Sequence, residues 1–199
     1  MSLAKVDPET QISKMRSLLE TQRAVQLRAG APSAAVRKDR IDRCIKLLTL
    51  HKDEITEAMN ADFGARSKDM SLLTDVAGSI GPLKNARDSL DRWMKAEKRK
   101  VEAPLGLMGA KAEVRFQPKG VIGIISPWNF PVQLTFAPLA GVLAAGNRAM
   151  IKPSELTPAT SDLMARLFDL FFDEEEIAVV TGGPEVGAAF AGLPFDHLV

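Results

Sequence analysis

Apolar residues recur at helical spacing through the first half of this chain, as at Ile41, Ile45 and Leu48. This pattern predicts amphipathic helices with one buried stripe each. A similar stripe at Met70, Leu73, Val76 and Ile80 is expected to face the core. Helix-capping residues, glycines and prolines indicate where each predicted helix begins and ends. The predicted helices cover residues 8–28 with Asp7 as N-cap, 33–60 with Ser33 as N-cap, and 67–98 with an interruption at 78–82, and a turn is expected at 62–64.

From about residue 118 the pattern becomes that of an α/β protein. Short apolar runs at 121–125, 149–151 and 178–180 predict buried strands, because turns and helical segments separate them. One intervening helix is expected to end near Gly146, and the next to run from Pro158 to about residue 172 with Thr157 as its cap. A further helix begins at Pro184, and residues 196–199 are typical of the start of a strand.

Two loops in this second half carry the side chains of greatest chemical interest. The first, SPWNFP, follows the strand at 121–125, and the second, KPSE, follows the strand at 149–151. Open α/β sheets place ligands at the carboxyl ends of their strands. The loops supply an amide at Asn129, a cation at Lys152 and a carboxylate at Glu155. This set can polarise a carbonyl group and hold a ribose.

Composition and charge exclude some classes of protein but do not identify the function. The chain has 199 residues with 46% hydrophobic and 26% charged content, as expected for a globular protein. A net charge of +1 favours neither nucleic acid nor a membrane as a partner, and a basic segment around Lys98 is typical of a solvated face. No secretory signal or membrane span is evident, which favours a cytoplasmic protein. His51 and His197 stand alone, so no metal site is expected.

The PWNFP, AAGN and KPSE motifs follow one another within 36 residues, and this linked pattern resembles the aldehyde dehydrogenase superfamily. The resemblance extends over most of the chain. The basic segment Trp93-Met94-Lys95 and the short amino-terminal extension are most similar to class-3-like and coniferyl-aldehyde dehydrogenases. It implies an α/β fold in three parts. These are a helical region at 1–100, strands of a small oligomerisation sheet at 101–117, and part of a Rossmann-like parallel-sheet domain at 118–199.

The resemblance implies that Asn129 stabilises the oxyanion that forms when a cysteine thiolate attacks an aldehyde. A neutral amide donor fixed before charge develops suits that task. On the residues alone, Asn129 is equally well interpreted as a loop residue that satisfies nearby backbone groups.

The resemblance also implies a binding site for NAD, or for NADP. Lys152 and Glu155 would hold the adenosine ribose, although a solvated surface ion pair is the ordinary alternative. Small residues at a strand-to-helix turn would let a nucleotide approach the backbone. The full set of predicted cofactor-binding residues is Ser126, Trp128, Lys152, Ser154, Glu155, Gly183 and Gly187.

Cys44, the single cysteine, lies on a predicted amphipathic helix far from these loops. We therefore expect it to be structural, with the family's catalytic cysteine and glutamate absent from this chain. The sequence is interpreted as an amino-terminal portion of an NAD(P)-dependent enzyme that oxidises an aldehyde to a carboxylic acid, itself inactive. The parent is expected to be a homodimer or homotetramer. The alternatives are a non-catalytic nucleotide-binding module and an acylating semialdehyde dehydrogenase.

Overall fold

The computed structural model describes residues 8–199, so the predicted cap Asp7 lies outside the described residues. The first half is helical up to Trp93. Its elements are α1 (Pro8–Ala29), α2 (Ala34–Leu50), α3 (Lys52–Phe63), α4 (Lys68–Ser71), a π-helical segment (Leu72–Ala77) and α5 (Gly78–Trp93).

The second half alternates strands and helices after a two-stranded antiparallel ribbon. The ribbon strands are β1 (Glu97–Arg99) and β2 (Ala112–Val114). The α/β elements are β3 (Val121–Ile125), α6 (Gln133–Ala144), β4 (Arg148–Lys152), α7 (Pro158–Phe171), β5 (Ile177–Val179), α8 (Pro184–Ala191) and β6 (His197–Leu198). The expected α/β fold, with a helical amino-terminal region and a partial parallel sheet, is confirmed.

The four parallel strands stand in the order β5-β4-β3-β6. The chain moves outward from β3 to β5 and then returns to pair β6 with the other side of β3. The direction of winding therefore reverses at β3. Such a switch point opens a crevice at the carboxyl ends of the strands.

Alternate residues of each strand face two separate apolar layers, since successive side chains point to opposite faces. On one face, Ile122, Ile124 and Ile151 pack into a core shared with α2, α5, α6 and α7. On the other face, Val121 and Met150 pack with residues of α1 and α8. Both faces of the sheet are covered, which explains why these strands have continuous apolar runs.

The AAGN turn sets the starting points of β3 and β4. Gly146 has φ of +83°, a left-handed conformation, and the guanidinium of Arg37 lies where a side chain would project. The Asn147 side chain accepts a hydrogen bond from the Gly120 N–H at 3.0 Å and donates to the Val142 carbonyl at 3.3 Å. This turn therefore ties the end of α6 to the beginning of both strands.

The predicted helix at 33–60 is wrong as a single element, because it divides at His51. This residue has φ of −107° and ψ of 18°, outside the helical range, and serves as both the end of α2 and the beginning of α3. Its ring contacts the Glu54 carboxylate at 2.6 Å and lies edge-on to Phe171. The break therefore lies where His51 contacts Phe171 of α7, and no Gly or Pro marks it in the sequence.

The predictions for 67–98 are also partly wrong. The helix continues through Gly78 and Pro82, because the packing of α5 against the core outweighs the hydrogen bond that a proline removes. Its irregularity lies upstream, in the π-helical segment, where each turn contains an extra residue. That extra residue shifts the phase of the apolar stripe, so Val76 is buried while Met70 and Leu73 are 53% and 68% exposed.

The ribbon differs from its prediction in two respects. Residues 97 and 98, expected at the end of a helix, form β1 together with Arg99 and pair with β2, with Glu97 opposite Val114. The alternating pattern at 111–117 predicts a half-exposed strand, but this stretch is exposed on both faces, because no layer of residues 8–199 covers either side. An antiparallel ribbon of this kind gains little stability from its own contacts.

Candidate functional site

The ends of β3 and β4 meet as the sequence predicts. Lys152 is the last residue of β4 and Ser126 immediately follows β3. The Ser126 N–H donates to the Lys152 carbonyl at 3.0 Å, so the two loops begin side by side. The helix α8 also lies beside Lys152, because a side chain at Gly187, the fourth residue of this helix, would begin 3.8 Å from Cε of Lys152.

Asn129 lies on the exposed part of the loop after β3. Its backbone carbonyl accepts a hydrogen bond from Arg66 Nη1 at 2.8 Å. Within the part of the chain that the structure describes, no protein group hydrogen-bonds its side-chain amide. The amide therefore does not satisfy nearby backbone groups, which was the alternative interpretation of this residue.

Lys152 and Glu155 form a close pair at the end of β4. The Lys152 side chain is only 3% exposed, and its ammonium donates to the Pro153 carbonyl at 2.7 Å and to the Glu155 carboxylate at 3.1 Å. An ammonium carries three N–H groups. One donor is therefore free of protein acceptors among residues 8–199, and a ribose oxygen would fit it.

The Glu155 carboxylate is 37% exposed, so it is open to a ligand. A hydrogen bond from its own backbone, followed by the hydrogen bond from Lys152, lowers the pKa of Glu155. It is thus ionised at neutral pH and can accept hydrogen bonds from hydroxyl groups. The solvated surface pair considered from the sequence does not describe this arrangement, because Lys152 is buried.

The turn between β5 and α8 brings its backbone close to the first turn of that helix, which requires glycine. Gly182 has φ of +154°, and a side chain there would collide with Val186. Gly183 is the N-terminal flanking residue of α8, and Pro184 occupies the first turn. The first turn of a helix carries unpaired N–H groups that suit an anion such as a phosphate.

The remaining predicted cofactor residues shape the loops. The buried Ser126 hydroxyl accepts from Thr135 at 2.7 Å, at the beginning of α6. The Ser154 hydroxyl accepts from the Leu156 N–H at 3.2 Å and so closes the turn after β4. Trp128 is 51% exposed on the loop after β3.

A residue of the helical region that the sequence analysis did not single out supports the second loop. The Asp62 carboxylate accepts from the backbone N–H groups of Ala159 and Thr160 at 2.9 and 2.8 Å, and from the Thr160 hydroxyl at 2.7 Å. It caps α7, directly after the loop that carries Lys152. The expected cap, Thr157, makes no such bond to the helix.

Cys44 lies in the apolar core between α2 and its neighbours and is fully buried. Burial raises the pKa of the Cys44 thiol, because a thiolate would lose its hydration. A group held protonated and covered in this way is not a nucleophile. The expectation that Cys44 is structural agrees with this placement.

We expect iodoacetamide to label Cys44 at least about 100-fold more slowly in the native full-length protein than in urea, because the reactive thiolate is suppressed. Mass spectrometry of the peptide that contains Cys44 measures this rate separately from other cysteines. Native labelling as fast as that of the unfolded chain would show that the thiol is accessible.

Residues 8–199 hold no cluster of three or more His, Cys, Asp or Glu side chains placed to bind a metal ion. Among residues 8–199, no helix has both the length and the apolar character needed to cross a bilayer.

Comparison with known proteins gives a consistent result. The family model "Aldehyde dehydrogenase family" matches residues 5–195. A probable coniferyl aldehyde dehydrogenase of Caulobacter vibrioides is 64% identical over 93% of this chain and 38% of its own length. A coniferyl aldehyde dehydrogenase of a Pseudomonas species is 48% identical over 94% of this chain and 38% of its own. The chain thus spans about two fifths of the length of these relatives.

Solved structures confirm the fold. AldH of Staphylococcus aureus, in a substrate-bound state, superposes with a TM-score of 0.85 at 32% identity, over 92% of this chain and 40% of that one. A benzaldehyde dehydrogenase of Corynebacterium glutamicum, described as NAD-dependent, gives 0.77 at 27% identity, over 96% and 40%. The expected resemblance is confirmed on both sequence and structure, and the chain belongs to the aldehyde dehydrogenase family.

Proposed function

We propose that the full-length protein oxidises an aldehyde to a carboxylic acid with NAD as the electron acceptor. The observation that carries this proposal is the pairing of the buried Lys152 with the ionised Glu155 beside the loop of Asn129. Bound at the carboxyl ends of β3, β4 and β5, the dinucleotide would accept the hydride that the substrate loses.

Each predicted site residue has its own role in this oxidation of an aldehyde. Lys152 donates to a ribose oxygen with the N–H that no acceptor among residues 8–199 uses, and Glu155 accepts from ribose hydroxyls. Gly183, which precedes α8, and Gly187, within α8, carry no side chain that would keep a nucleotide away from the backbone. The Asn129 amide donates to the carbonyl oxygen of the substrate, which becomes more negative as the carbonyl is attacked.

We further propose an aromatic aldehyde of the coniferyl type as substrate, because two relatives at 64% and 48% identity carry that name. An assembly of two or four copies stays a prediction.

The test is a steady-state assay of the full-length protein with NAD and coniferyl aldehyde, in which NADH absorbance and acid formation are followed together. Formation of both in equal amounts supports the proposal. Product formation that requires coenzyme A would instead indicate the acylating alternative. Binding of NAD without any turnover across aliphatic and aromatic aldehydes would favour a non-catalytic nucleotide-binding module.

We expect a preference for NAD over NADP, because the Glu155 carboxylate repels a 2′-phosphate and accepts from a free 2′-hydroxyl. Glu155→Gln should reduce the ratio of kcat/KM for NAD to that for NADP by roughly tenfold or more, equivalent to about 1.4 kcal/mol. The control is Glu20→Gln, an exposed carboxylate on α1. A hundredfold preference of the unaltered enzyme for NADP would contradict this prediction.

A further inference from the structure

Two residues of the helical region hold the loop that carries Asn129. Arg66, between α3 and α4, has a side chain that is 13% exposed, and Asp75, in the π-helical segment, is completely buried. Their charged groups meet at 2.6 Å, from Arg66 Nη2 to Asp75 Oδ2. Neither residue belongs to the strands or loops considered so far as the site.

Asp75 fixes the end of the loop. Its Oδ1 accepts from the backbone N–H groups of Val132 and Gln133, both at 3.2 Å, where α6 begins. Its Oδ2 accepts from Arg66 and from the Thr74 hydroxyl, the latter at 2.9 Å. A carboxylate at a helix N-terminus satisfies unpaired N–H groups and interacts favourably with the helix dipole.

Arg66 fixes the middle of the loop. Nη1 donates to the Asn129 carbonyl at 2.8 Å, while the guanidinium lies 4.8 Å from the centre of the Phe63 ring and 5.2 Å from that of Phe130. Phe63 belongs to α3 and Phe130 to the loop itself. A planar guanidinium can stack on rings and donate in several fixed directions, which a lysine ammonium cannot do.

The hydrogen bond from Arg66 to the Asn129 carbonyl affects where the amide of Asn129 lies. The carbonyl that Arg66 holds belongs to Asn129, whose side-chain amide has no hydrogen-bond partner among residues 8–199. Holding that peptide plane restricts the position of the Asn129 Cα, which belongs to the plane and carries the side chain. A displacement of about 1 Å in a catalytic group can reduce a rate 10²-fold.

We propose that Arg66 and Asp75 are positioning residues for Asn129, holding its amide at the place where the substrate oxygen gains charge. This inference rests on the proposed function. It adds to that function two residues that lie 63 and 54 positions before Asn129 in the sequence and outside the Rossmann-like part of the chain.

The experiment compares Arg66→Lys in the full-length protein and in the same protein carrying Asn129→Ala. Lysine keeps a charge beside Asp75, so the fold is preserved, but it loses the fork that reaches both Asp75 and Asn129. We expect kcat to fall about 10–100-fold in the first background and less than about threefold in the second, since residues that act through one another are not additive. KM for NAD should stay within about twofold.

Hydrogen exchange supplies a readout that needs no turnover. Peptides covering 126–137 should exchange faster in Arg66→Lys and in Asp75→Asn than in the unaltered protein, because the loop and the first turn of α6 lose their anchors. The matched control is Arg87→Lys, an arginine paired with the exposed carboxylates of Asp42 and Asp88. It should change neither kcat nor exchange at 126–137.

Equal losses of kcat in both backgrounds would overturn the proposal, since Arg66 would then act independently of Asn129. Unchanged exchange at 126–137 would overturn it as well. If the unaltered protein oxidises no aldehyde, the proposed function fails, and the catalytic part of this inference fails with it. Hydrogen exchange then decides separately whether Arg66 and Asp75 hold the loop.

Discussion

Replacing Asn129 with alanine should lower the turnover of the full-length enzyme about 10²–10³-fold, the usual effect of losing one oxyanion donor. The substitution breaks no hydrogen bond within the described part of the protein, because no described group bonds the side-chain amide of Asn129. The backbone carbonyl that bonds Arg66 remains in the variant. Affinity for NAD should persist, because Lys152 and Glu155 are untouched.

The measurement is kcat at saturating cofactor and aldehyde, with NAD affinity determined by titration calorimetry. Asn85→Ala, which removes an exposed amide on α5, is the matched control and should leave kcat unchanged. A fall of less than about threefold in Asn129→Ala would exclude the oxyanion role, since a lost donor costs far more than that.

Replacing Asp75 with alanine should lower the free energy of unfolding by about 3–5 kcal/mol, the range found when one partner of a buried ion pair is removed. The carboxylate is completely buried and takes part in four hydrogen bonds. Its removal leaves the Arg66 guanidinium without its partner charge and two backbone N–H groups of α6 without an acceptor.

Urea denaturation followed by circular dichroism measures this change. Asp75→Asn should have an intermediate effect, because its side-chain oxygen still accepts from the backbone while its charge is lost. Asp91→Ala, which removes an exposed partner of Lys38, should have little effect. An equal effect of Asp75→Ala and Asp91→Ala would contradict the stabilising role of the buried pair.

The sequence was sufficient to predict the α/β unit that carries the loops. The runs at 121–125 and 149–151, the AAGN turn and the prolines are local signals, and they correctly predicted β3, α6 and β4. Local patterns determine these strands and this helix, because the apolar residues of the buried face and the Gly and Pro residues that end each element lie within one short stretch. The roles of Asn129, Lys152 and Glu155 stay predictions that the geometry supports.

The supporting residues could not be found in the same way. Asp62 caps a helix 97 positions later, and Arg66 bonds a carbonyl 63 positions later, so neither contact leaves a local pattern. Asp75 did give one signal, since a carboxylate stands beside Val76 on an apolar stripe. A buried charge of this kind usually has a specific partner. The π-helical segment concealed it further, because its extra residue breaks the helical period.

The short turn between α3 and α4 has a consequence for how this protein can vary in length. Surface turns generally accept inserted or deleted residues at little cost. This one ends α3 at Gly64, which has φ of +75°, and the residues on either side, Asp62 and Arg66, contact α7 and the loop of Asn129, respectively. A one-residue insertion between them would detach α7 or the loop of Asn129 from its support. Aldehyde dehydrogenases in which both Asp62 and Arg66 make these contacts should therefore keep this turn at constant length. The exposed turn of the ribbon, at 100–111, should vary in length among the same proteins.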